Sequence, residues 1–211
     1  MNNKKKDLFL YLITIILSLI ILLTVIHFLK IGKPLVLLWF CYIGIIIIII
    51  GIIKRNSNLV LSQILILNIP ILLWIIDFIV FIIAGTSPLG ITNVYFFDHE
   101  LILERVISLQ HIIVLPLSIW ALSLIKLNKN HYKALLISFS EVVLLFILGL
   151  LISNPFLNIN CLAKNCTQTI LPSFIPYYII WGGFMVISIL ISYFIITSLP
   201  FVKKKFIAFK I

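Results

Sequence analysis

The residues able to do chemistry are few and set in apolar surroundings. Asp77, Glu104, Arg105 and Glu141 fall in or near long hydrophobic runs, with Ser108 and His111 close behind Arg105. A charge at the centre of a bilayer costs about 2.5–3.5 kcal/mol on insertion scales, so four such groups left unpaired would cost roughly 10 kcal/mol in total. They must face a protein interior and find partners. A histidine beside a carboxylate is the pattern of general acid–base catalysis, with His111 taking or giving the proton and Asp77 or Glu104 orienting it. Ser108, one turn from His111, is the available nucleophile; water is the other. The same groups in one layer would equally make proton sites of a carrier, or a structural ion-pair network that does no chemistry.

Helical periodicity groups them. At about 100° per residue, Ser108, His111 and Ser118 lie within about 40° of Glu104, with Arg105 at the edge of the stripe. Gln63, Trp74 and Asp77 likewise share a face on the preceding run. Asp77 and His111 come to similar depth, which predicts two stripes facing each other and a coupled His111–Asp77 pair. Asp98, just before the fourth run, and Asn154, Asn158 and Asn160, after the fifth, would wall such a site where it opens outward, with Trp74 beside it. Glu141 stands apart, near Ser138 and Ser140, and reads as a structural hydrogen-bond partner. His27 and His131 sit at the edges of the runs and carry no signal.

The elements that must position these residues are membrane spans. The chain has 211 residues, 63% hydrophobic and only 10% charged, with a mean hydropathy of +1.29. Soluble domains carry about 25% charged residues, so a soluble enzyme, a disordered chain and a disulfide scaffold are all excluded. Six apolar runs follow one another, at 8–29, 35–53, 59–84, 101–126, 134–152 and 177–201. Each approaches the roughly 20 residues that cross a hydrocarbon core. The expected fold is a single all-α domain, a bundle of six transmembrane helices. Pro70 and Pro116 interrupt the third and fourth runs, each removing one helix hydrogen bond. The segment Gly44–Gly51, with six consecutive isoleucines, reads as plain apolar filling.

Charge orients the bundle. The first apolar run, of about 22 residues, is too long for a signal-peptide core and reads as an uncleaved anchor. With the N-terminus inside, the inner segments hold Lys4–Lys6, Lys54, Arg55, Lys126, Lys129, Lys133, Lys203–Lys205 and Lys210. The outer segments hold Lys30, Lys33 and Lys164, a division of about twelve to three. Cytoplasmic loops are the basic ones, so both termini are expected in the cytoplasm and the protein in a cell membrane, the inner membrane of a bacterium. The net charge of +10 then reports orientation and attraction to anionic lipid. Nucleic acid is not an expected partner, because no soluble platform carries a basic patch; membrane lipids are. Cys161 and Cys166 fall in the last outer loop, where the compartment allows a disulfide. Cys41 reads as a small buried residue. No metal-ligand spacing, phosphate loop or cofactor motif appears, so neither metal nor cofactor is expected.

Several motifs, in order, resemble an uncharacterised family of bacterial six-span integral membrane proteins. They are Trp74-x-x-Asp77, Phe97-Asp98 with Leu101, Arg105-x-x-Ser108-Leu109-x-His111 with Pro116, and Asn158-Ile159-Asn160, spread over about half the chain. Asp98-His99 stands where that family has Asp-Pro. The resemblance implies the six-span fold and no activity. More distantly, His111-Ile-Ile-Val-Leu-Pro116 is similar to a segment of androgen-inducible-type intramembrane lipid hydrolases, which implies lipid hydrolysis through His111. Their nucleophilic Thr has no counterpart beside Asp77, and Cys41 is the only distant candidate. Three functions stay open: lipid or partner binding, a membrane-embedded lipid hydrolase or transferase, and a small proton-coupled carrier.

Overall fold

The computed structural model describes residues 3–91, 102–125, 127–152, 160 and 177–199, and among these every regular element is helical. The helices are α1 (Asn3–Lys30), α2 (Phe40–Ile53), α3 (Ser57–Ala84), α4 (Ile102–Ser108), α5 (Gln110–Leu124), α6 (Tyr132–Ile152) and α7 (Tyr177–Ser198), with a 3-10 turn at Pro34–Leu38 before α2. Five stretches are long and apolar enough to cross a membrane: α1, α3, the α4–α5 pair from Leu103, α6 and α7 from Tyr178. The chain is therefore an all-α, multi-pass membrane protein by length and composition.

α3 is the hub, packing against α2, α5, α6 and α7. Between Val60 and Asn68 every side chain is buried, the polar Ser62, Gln63 and Asn68 included, because other helices enclose this stretch on all sides. Asn56 caps its start, accepting from the backbone N–H of Asn58 at 3.0 Å and of Leu59 at 3.4 Å. Gly85, in the left-handed region at φ 70°, ends it and returns its N–H to Phe81 at 2.8 Å. Pro70 lies inside this helix without ending it.

The isoleucine-rich segment of α2 holds more than filling. A Cβ on Gly51 would lie 2.8 Å from Val60 Cγ2 and 3.1 Å from the Val60 backbone N; one on Gly44 would lie 2.8 Å from Leu67 Cδ1. The two glycines bound the run and let α2 and α3 approach backbone to backbone, the device by which small residues bring membrane helices together. Around the bundle, Ile83, Leu151, Tyr11 and Phe194 are among many large apolar side chains left exposed, a surface suited to lipid tails and far more apolar than a monomer in water presents.

The fourth run departs from the expected single helix. It is two helices joined at Leu109, and Pro116 lies within the second of them. The cause is His111. Its Nδ1 donates to the Ser108 carbonyl at 2.7 Å, the group that the N–H of Ile112 would take in an unbroken helix. That N–H turns to Leu109 O at 3.1 Å instead. A side chain inserted into the helical ladder is a recognised source of a break.

Candidate functional site

Long-range contacts sort the helix ends. Arg55, after α2, donates to Asp7, in the first turns of α1, at 2.7 Å. Ser57, at the start of α3, accepts from the Asn128 N–H at 2.9 Å. At the other end, His27 near the close of α1 meets Glu104 of α4, and Phe40 at the start of α2 meets Asn160.

The described candidate residues near this second end are brought into one region, and their contacts among the described residues are mostly with groups outside the expected set. Glu104, expected to serve His111 or Arg105, lies 3.2 Å from His27 Nε2, and both side chains are buried. A histidine without apparent signal thus supplies the long-range partner. The edge of an apolar run looks interfacial in one dimension; only packing of α1 against α4 buries it. Arg105 is half-buried in the turn that follows Glu104.

Asp77 is fully buried and accepts from Ser87 Oγ at 2.6 Å and from the Leu89 N–H at 2.8 Å. It holds the turn after α3 down onto the helix that carries it. The expected direct coupling to His111 is replaced by this arrangement, since among the described residues His111 contacts the Ser108 carbonyl and the Trp74 ring. The stripes of α3 and α5 do meet, but through aromatic packing: the Trp74 and His111 rings are 5.1 Å apart at 39°, with Phe78 stacked on Trp74 at 5.0 Å. The carbonyl bond fixes the tautomer, because a carbonyl can only accept; the neutral ring carries its lone pair on Nε2. Ser108 is buried at the end of α4, and it is its carbonyl rather than its hydroxyl that His111 engages.

Asn160 is a clamp. Its Oδ1 accepts from the Phe40 N–H at 2.8 Å and its Nδ2 donates to Leu38 O at 3.2 Å. One amide thus caps α2 and closes the 3-10 turn from 120 residues away. Asp98, Asn154, Asn158, Cys161 and Cys166 lie outside the described residues, while Cys41 is a half-buried free thiol.

Two polar features had a weaker signal or none. Gln110, adjacent to His111 and 3% exposed, has neither amide atom bonded among the described residues, and Trp74 Nε1 is likewise buried without an acceptor among them. Toward the first end, Gln63 donates to Glu141, Ser138 Oγ reaches Ser62 O at 3.0 Å, and Asn68 reaches Ser192 Oγ at 3.2 Å. Glu141 is thus a hydrogen-bond partner, as its isolation suggested, and α3 is pinned to α6 and α7 by polar pairs.

No family model, curated protein or solved structure matches the chain.

Proposed function

We propose that this chain is a six-span membrane protein with both termini in the cytoplasm, and that it binds a polar lipid in the layer of Trp74, Gln110 and His111 rather than catalysing a reaction there. The sixth crossing is α2. Its 14 residues give about 21 Å at 1.5 Å per residue. The five residues of the preceding 3-10 turn, joined through the extended Trp39, add at most about 10 Å, so that the two together approach the roughly 30 Å of a hydrocarbon core.

The observation that carries the binding reading is the set of three unpartnered buried atoms, Trp74 Nε1 and both ends of the Gln110 amide. A buried donor or acceptor without a partner costs about 1–3 kcal/mol. Three such atoms, on Trp74 and on the sequence neighbour of its ring partner His111, are the kind of cost that a bound head group offsets. Binding is favoured over hydrolysis because the groups a dyad would need are engaged elsewhere: Glu104 by His27, Asp77 by Ser87 and Leu89, and His111 by a backbone carbonyl.

Gln110→Leu decides between an occupied and an empty layer. If lipid fills it, the variant purified in native-lipid discs retains less lipid by mass spectrometry and melts at a lower temperature. A variant that melts higher with its lipid complement unchanged would show that the amide is simply an unpaid burial, and the reading would fall.

A second reading, a proton-coupled carrier, draws on a different observation. Gln63–Glu141 and Asn68–Ser192 continue the polar groups of α3 toward the opposite end, and Glu141 Oε1, Gln63 Oε1 and Ser188 Oγ are buried without partners. Reconstituted vesicles under an imposed pH gradient would test it: proton flux abolished by Glu141→Gln supports a carrier, and no flux above empty vesicles removes it.

A further inference from the structure

The loop between α2 and α3 and the loop between α5 and α6 enclose an open hollow of about 630 Å³ at the end of the bundle that holds the start of α1. Its rim carries Lys54, Arg55 and Lys133, its floor is the first turn of α3 with Asn58, and Asn128 forms the far wall. Ser57 Oγ, accepting from the Asn128 N–H at 2.9 Å, ties wall to floor, so the hollow is built by tertiary contact.

From this geometry we infer that the hollow is a binding site for a phosphate-bearing anion, independent of the layer at the opposite end. Four observations converge. No acidic side chain lines it. The nearby carboxylate, Asp7, takes one nitrogen of Arg55 at 2.7 Å, while Lys54 and Lys133 make no ion pair among the described residues. The floor is the start of a 28-residue helix; Asn56 already takes the N–H groups of Asn58 and Leu59, and the positive end of the dipole still favours an anion nearby. Finally, Asn58 lines the hollow and is 5% exposed, with its Oδ1 turned inward and without a hydrogen-bond partner among the described residues. The Nδ2 of this side chain is then the donor left to meet an anion in the hollow. Basic hollows between transmembrane helices are where lipid phosphates seat. A phosphate diester of a membrane lipid and a free phosphate from the aqueous side share this chemistry, and the test separates them.

The full chain would be placed in discs of zwitterionic phosphatidylcholine and examined in two arms by native mass spectrometry. One arm adds inorganic phosphate; the other replaces a tenth of the lipid with phosphatidylglycerol. Retained phosphate assigns a soluble ligand, and retained phosphatidylglycerol assigns a head group. The decisive variant is Lys54→Gln with Lys133→Gln, both at exposed positions. The control removes the same charge at the same end outside the hollow, Lys4→Gln with Lys5→Gln. At about fivefold per lysine, the first pair should weaken binding about 30-fold, whereas Lys54→Arg with Lys133→Arg retains it and the control pair stays within about threefold. Asn58→Leu should also weaken binding. Equal losses in the two glutamine pairs would mean general attraction to basic termini and would overturn the site, as would binding in neither arm.

Discussion

His27 and Glu104, 77 positions apart in the chain, meet in the interior with Nε2 and Oε1 3.2 Å apart and about 5% and 7% of each side chain exposed. This contact fastens the close of α1 to α4, the short helix that precedes the break at Leu109. A buried polar group left without its hydrogen-bond partner costs about 1–3 kcal/mol. His27→Ala should therefore lower the melting temperature of the disc-embedded protein more than Glu104→Gln, which keeps a neutral hydrogen-bonding group. The double variant should lose less than the sum of the two. Strict additivity in that cycle would mean that the pair does not interact.

Asp77 offers the matching test on α3. Asp77→Asn should cost about 1.5–3 kcal/mol, the value of a hydrogen bond to a charged group, and Ser87→Ala should cost much less when Asp77 is already changed. His111→Ala and Asp77→Asn should be additive within about 0.5 kcal/mol, as expected of residues that share no partner among the described residues. Coupling between His111 and Asp77 larger than that between Ser87 and Asp77 would restore the dyad that the helical stripes suggest.

The α2–α3 interface predicts unequal tolerance of two chemically identical changes. Gly51→Ala presses on the Val60 backbone N as well as on its side chain, whereas Gly44→Ala meets the movable end of Leu67 and the Gln63 amide. Overpacking costs about 1–3 kcal/mol, and it should be felt more at Gly51. Equal melting temperatures for the two variants would show that the helices are not in close backbone contact.

Topology is testable by reporter fusions. Fusions at residues 90 and 165 should read extracytoplasmic and one near residue 129 cytoplasmic, following the basic residues. A periplasmic signal at 129 would invert the bundle and put the basic hollow on the other face. In the same cells, thiol labelling of Cys161 and Cys166 should require prior reduction if the outer loop is disulfide-bonded.

Much of the scaffold was legible without coordinates because its causes are local. Runs of Ile, Leu and Val announce membrane helices, and α3, α6 and α7 begin and end within a few residues of the boundaries that hydropathy suggests. The polar positions that must be buried were also visible, since charge in an apolar run admits few fates. Partner choice was not. Periodicity places Asp77 and His111 on facing stripes, but it carries no information about a serine ten residues beyond Asp77, or a carbonyl three residues before His111, that competes for the same atoms. Nor does it reveal that His27 turns inward, that Asn160 folds back to cap α2, or that two glycines in an isoleucine run mark a close helix contact. Each of these depends on which helix lies against which. An apolar helix in lipid has no solvent-facing stripe to declare its neighbours; only the packed tertiary structure decides them.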